Sequence, residues 1–225
     1  MGIEDISDVA AESYLPGIDI SHHQGTIDWK AVAADGIAFA FAKATDGIGS
    51  PDSQFQKNWA AMKAQGITRG AYHFFRPLRS PEAQAAEFLA RFDHDFSAGD
   101  LAPMLDLEEA NDGSGHDTWS DVPPETRVPS ALKWLETVEQ ALGVAPIIYT
   151  RAGWVADWLQ NKPGGLAAYP LWIVHYKAAP PKMPVGWDQW SIWQYSEKGT
   201  VPGVNGSVDL DRFNGTISDI AKLTK

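Results

Sequence analysis

The 225-residue chain has no cysteine. That excludes disulfide frameworks, thiol nucleophiles and thiolate metal sites. It has no apolar run long enough to cross a bilayer. Basic residues are in deficit: 18 Lys and Arg against 29 Asp and Glu leave a formal net charge of −11. Nucleic-acid binders carry a basic face, so no nucleic-acid partner is expected. Attachment to a membrane or anionic polymer by bulk charge is equally disfavoured. No Gly-rich phosphate loop follows the first candidate strand, and no Gly-x-Ser-x-Gly elbow or His-Glu-x-x-His pattern occurs. His22-His23 lacks the ligand spacing of a metal site. Residues 1–13 are acidic and have neither the charged nor the apolar region of a signal peptide, so none is expected in this sequence.

What is present is an ordinary globular balance, with 44% hydrophobic and 21% charged residues. The length suits one large domain. The expected division is a polar leader over 1–15 and a single domain over 16–225, a monomer by default. Ten tryptophans stand out; most are expected in a core, some against sugar rings.

Eight short runs rich in β-branched and aromatic residues read as strands: Gly17–Ser21, Ile37–Lys43, Gly70–Phe74, Ala102–Leu107, Ala145–Thr150, Leu171–Tyr176, Ser191–Tyr195 and Ser207–Phe213. Helical patterns separate the first five. They cover Asp28 to Asp35, Ser53 to Gln65, a run opened by Ser80-Pro81-Glu82, Ser130 to Leu142, and Ala152 to Gln160. After Leu171 the connections are rich in Pro and Gly and lose the helical period. The pattern predicts an α/β fold, a TIM-like β/α barrel of five β/α units followed by three strands lacking outer helices. An open doubly wound sheet is the alternative.

The run Met104-Leu-Asp-Leu-Glu-Glu109 carries the chemistry. Residues i and i+2 of a strand share a face, so Asp106 and Glu108 project together while Leu105 and Leu107 pack the other way. Ionising one carboxyl disfavours ionising its neighbour, which suits a proton donor beside an ionised partner. Glycoside hydrolysis uses such a pair. Solvated surface acids, or a site for a hard divalent cation, remain open on these residues alone. Asp19 on strand one and Asp209 and Asp211 on strand eight add acids to the same end. In a closed barrel those two strands are neighbours. Tyr72, His73, Tyr149, Tyr176, Trp193, Gln194 and Tyr195 supply polar aromatics and hydrogen-bonding groups at other strand ends.

The segment from Gly17 to Trp29 (GIDISHHQGTIDW) resembles the opening of family 25 glycoside hydrolases, the Chalaropsis-type lysozymes. Lys43-Ala-Thr-Asp-Gly47, Gly70-Ala-Tyr-His-Phe74, Leu105-Asp-Leu-Glu108, Ile147-Ile-Tyr-Thr150, Leu171-Trp-Ile173, Trp193-Gln-Tyr195 and Val208-Asp-Leu-Asp-Arg-Phe213 follow in the family's order. The resemblance covers about residues 16–215. Asp46 stands where Glu is common and Asp211 where Asn is common; the second adds a negative charge near the site.

The resemblance implies an N-acetylmuramidase that cuts the β-1,4 bond between N-acetylmuramic acid and N-acetylglucosamine in bacterial peptidoglycan, without a cofactor or metal. It implies action outside the cell or on the wall, as a phage endolysin or a secreted enzyme. Glu108 corresponds to the general acid, and Asp106, Asp19 and Asp209 to the other catalytic acids. Tyr72, Tyr149, Tyr176, Trp193, Gln194 and Asp211 are the candidate substrate-binding residues. A catalytically silent glycan-binding protein on the same fold is a second reading. A chitin-directed hydrolase is a third, though the longer Asp-x-x-Asp-x-Asp-x-Glu pattern is absent.

Overall fold

The computed structural model describes residues 14–92 and 95–225. Eight strands close into one barrel in chain order: β1 (Tyr14–Ile20), β2 (Phe39–Asp46), β3 (Thr68–Phe74), β4 (Met104–Asp106), β5 (Ile147–Thr150), β6 (Leu171–Val174), β7 (Ile192–Gly199) and β8 (Val208–Asn214). All eight expected strands are found. Most of the expected leader, residues 1–13, lies outside the described residues; Tyr14 and Leu15 open β1, opposite Asn214 and Phe213.

A helix follows each of the first five strands: α1 (Trp29–Ala34), α2 (Phe55–Ala64), α3 (Pro81–Leu89), α4 (Pro124–Leu142) and α5 (Ala152–Leu159). Helix α4 begins six residues before the expected Ser130. Pro124 is its first residue, where the missing N–H costs nothing, and Pro129 is carried inside it. Trp134, Leu135 and Val138 on its buried face offset the one hydrogen bond lost at Pro129. Gly143 ends it with φ 76°, a left-handed conformation that favours glycine.

Strands β1 to β7 run parallel, whereas β8 is antiparallel to both β7 and β1. The segment joining β7 to β8 contains no helix, and a parallel return needs a crossover of about a dozen residues or more. The chain therefore reverses. This corrects a strand-end reading of Asp209: it reaches the barrel mouth from the first turn of its strand, because that strand points down.

Alternation along the strands separates two cores. Phe39 and Phe41 from β2, Met104 from β4, Ile147 from β5, Trp172 from β6, Ile192 from β7 and Phe213 from β8 form the inner cluster. Ile18, Ala40, Ala42, Leu105, Ile148, Leu171 and Ile173 belong to the larger cluster shared with the helices. Gly17 and Gly70 flank β2 where the rings of Phe39 and Phe41 cross the barrel. A Cβ on either would stand 2.2–2.3 Å from a ring carbon, so neither position accepts a side chain without displacing that ring.

At the foot of the barrel, buried Arg69 of β3 meets Asp100. Its Nε donates to Oδ1 at 2.7 Å and its Nη2 to Oδ2 at 3.0 Å. The guanidinium also stacks on Trp59, 3.9 Å from the ring centroid.

Candidate active site

The inner alternation ends at the mouth in acids. β1 contributes Asp19 above Gly17. β4 contributes Asp106 above Met104, and Glu108 follows one turn of chain beyond the strand. β8 contributes Asp209, directly opposite Asp19 in the β1–β8 register. These four line one cavity of about 220 Å³ with Tyr72, Met104, Tyr149, Tyr176, Gln194 and Glu197. A contiguous space of about 200 Å³ adds Lys43, Phe74, Ser21, His23 and Gln24 around the same acids.

Asp19 and Asp106 are buried, while Glu108 and Asp209 are half-buried and face the opening. Among the described residues no cation is hydrogen-bonded to Asp106 or Glu108, and Oδ1 of Asp106 is buried without a partner. Burial, then the charge of Glu108, pushes Asp106 well above the usual carboxylate range. Burial also raises Glu108, against the pull of Lys43 and Arg151. Asp19 is raised well above its ordinary value by burial and by Asp209. Asp209 is pushed up to about 6 by burial and the charge of Glu197. Burial and mutual repulsion raise the proton affinity of all four acids, the condition that favours a carboxylic acid able to donate a proton.

Gln194 organises the opposite wall. Its Nε2 donates to Oδ2 of Asp19 at 2.7 Å. Its Oε1 accepts from the hydroxyls of Tyr149 at 2.9 Å and Tyr176 at 2.7 Å. Tyr149 is buried and Tyr176 stands exposed at the rim.

Two expected substrate-binding residues are elsewhere. Trp193 neighbours inward-facing Gln194 on β7 and so points out of the barrel, where its Nε1 donates to the His175 carbonyl at 2.8 Å. There it lines a separate recess with Tyr195 and Arg212, whose guanidinium lies over the Tyr195 ring. Asp211 points inward but sits below the cavity and is almost completely buried. Burial, with Asp19 and Asp209 close by, keeps its proton well above the usual range. The same surroundings disfavour the extra negative charge expected from the sequence. His73 faces outward too: it bonds Thr45 and Gln84, stacks on Trp134 and is pushed down to about 4 by burial.

Lys43 and Glu197 were not singled out from the sequence as site residues. Lys43 lies in the quoted Lys43-Ala-Thr-Asp-Gly47 segment, and alternation from Phe39 and Phe41 turns it inward. Glu197 lies on a part of β7 beyond its expected end, so nothing in the pattern marked it. Asp46, in the same segment as Lys43, accepts from Lys43 at 2.9 Å and from Arg76 at 2.5 and 3.1 Å. Although burial raises it, these two cations bring Asp46 below the usual carboxylate value.

The sequence matches Glycosyl hydrolases family 25 over residues 18–204. It is 33% identical to Lysozyme M1 of Streptomyces globisporus over 220 residues, covering 95% of this chain and 72% of that one. It is 28% identical to the N,O-diacetylmuramidase of Chalaropsis, over 93% of this chain and 98% of that one. The fold superimposes on the bacterial lysozyme of Streptomyces coelicolor with a TM-score of 0.87 and 31% identity, covering 95% and 98% of the two chains. For a family GH25 lysozyme of Aspergillus fumigatus the values are 0.84 and 30%, covering 95% and 100%.

Proposed function

Starting from the fact that this chain belongs to glycosyl hydrolase family 25 and is a glycoside hydrolase of the lysozyme type, we propose that it cuts the β-1,4 bond between N-acetylmuramic acid and N-acetylglucosamine in bacterial peptidoglycan. The observation that carries this reading is the pair Asp106 and Glu108 opening on one cavity without a hydrogen-bonded cation. Buried carboxylates without partners are costly, and a site that keeps several together is spending stability on chemistry.

Glu108, the more accessible of the pair, protonates the glycosidic oxygen as the C1–O bond breaks. Asp106 orients the 2-acetamido group of the sugar, whose carbonyl oxygen attacks C1 and forms a cyclic intermediate. Water then opens that ring, giving its proton to Glu108 and restoring the acid. This is the substrate-assisted variant of glycoside hydrolysis. Asp19 and Asp209 raise the proton affinity of the site, and Gln194 holds Asp19 in place. Tyr72, Tyr149 and Tyr176 form the wall for the sugar ring, whose C–H face suits an aromatic surface. The intact acid set argues against a silent glycan-binding protein. The enzyme works on the wall outside the cytoplasm and needs no cofactor.

The test is identification of the new reducing ends released from purified peptidoglycan. Reducing ends at muramic acid support the reading. Reducing ends at N-acetylglucosamine, or none, overturn it.

A further inference from the structure

A second cavity at the mouth is larger than the one with the catalytic acids. It has a volume of about 760 Å³, more than three times that of the acid-lined cavity. Its walls are the loops that follow β2 and β3, with Asn111, Asp112 and Thr118 after β4. Lys43 lines both it and the space around Asp106 and Glu108. The two spaces therefore meet at Lys43.

The cavity has a chemistry of its own. In a chain of net charge −11, three cations gather here: Lys43, Arg76 and Arg79. Lys43 and Arg76 share one carboxylate, Asp46. Arg79 is exposed and has no acidic partner among the described residues. The other acids of the lining are already engaged by neighbouring groups. Asp52 accepts from the backbone N–H and ring of His22 and from the backbone N–H of Gln54. Asp112 accepts from the backbone and hydroxyl of Ser114. Ile48 and Leu78 are exposed at 45% and 55% and add apolar surface beside the free guanidinium.

We propose that this cavity is a subsite for the peptide stem of peptidoglycan, with Arg79 receiving a stem carboxylate and Ile48 and Leu78 receiving alanyl methyl groups. The proposal rests on the muramidase reading above. That stem is attached through the lactyl group of muramic acid, the sugar placed in the acid cavity, and it alternates small apolar side chains with free carboxylates. A planar guanidinium without a competing partner is suited to such a carboxylate. The volume falls in the range that encloses most of a small ligand.

The experiment compares wild type, Arg79→Glu and Leu78→Ser on two substrates: soluble uncrosslinked glycan chains bearing stem peptides, and the same chains stripped by an N-acetylmuramoyl-L-alanine amidase. Arg79 makes no side-chain contact that the fold depends on, and its backbone bonds to Arg76 and Gln84 survive substitution. Wild type is expected to cut peptide-bearing chains with a kcat/KM about tenfold higher than stripped ones, the scale of one charge-assisted hydrogen bond. Arg79→Glu removes that preference and leaves the rate on stripped chains unchanged; Leu78→Ser reduces the preference by about half. Equal effects of Arg79→Glu on both substrates, or none on either, overturn the subsite. Failure of wild type to release reducing ends from either substrate overturns the muramidase reading itself.

Discussion

Asp100 precedes the short strand β4 and Asp106 ends it, and the two are equally hidden, at 5% and 6% exposure. At the foot of the barrel Asp100 receives two hydrogen bonds from Arg69. At the mouth Asp106 has an oxygen with no partner and a second acid, Glu108, facing the same cavity. The same burial thus has opposite consequences. The lower carboxylate is paired with a bidentate cation and fixes the strand ends; the upper one is left without such a partner, and burial beside Glu108 raises its proton affinity. In barrels of this kind the lower face serves stability and the upper face chemistry.

The largest effect that sharpens this contrast is at Glu108. Glu108→Gln keeps shape and removes the donated proton. Clearing of peptidoglycan turbidity should slow by roughly 10²–10⁴-fold, with an unchanged unfolding midpoint. A rate near wild type would move the acid role elsewhere.

The contrast was half visible in the sequence. Eight strand-like runs and five helical patterns were legible because each strand carries its own apolar run and each α-helix its own apolar stripe. The pairing of Asp106 with Glu108 followed from a period of two, and the meeting of Asp19 with Asp209 from closure. Arg69–Asp100 was not legible, since 31 positions separate the partners and neither stands out locally. The direction of β8 was missed because antiparallel and parallel strands read alike; only the short connection distinguishes them. Trp193 was misplaced for a related reason. It and Gln194 are both plausible sugar contacts, and the choice of inward residue depends on register with Asp211 opposite Gln194.

At the foot, Arg69→Met leaves Asp100 buried and unpaired. Breaking a buried pair costs about 3–5 kcal/mol, which urea denaturation would detect as a lower midpoint. The remaining folded enzyme should keep its kcat/KM. A loss of specific activity in the folded fraction would erase the division between the two ends.

The smallest effect is in the pH dependence of stability. Asp209 holds its proton up to about 6 in the folded protein, against an ordinary value of 3.8. Its contribution is complete below about 3.8 and disappears as pH rises through 6, because the folded state binds the proton more tightly. Asp46, whose folded value is lowered, has the opposite sign: its contribution is lost as pH falls. Asp209→Asn should therefore flatten the decline in stability between pH 4 and 6. An unaltered slope in urea titrations would contradict this. Activity should show a related limb, with kcat/KM falling on the alkaline side of the ordinary glutamate range as Glu108 loses its proton.

The division of labour between the two ends is tested most directly by Asp106→Asn, assayed for wall hydrolysis and for unfolding in urea at pH 7. An amide replaces a buried acid that has no cationic partner. The account predicts a loss of hydrolysis comparable to that of Glu108→Gln, with stability equal to or above wild type. A drop in stability like that of Arg69→Met, with hydrolysis by the folded fraction retained, would make Asp106 a structural residue and contradict it.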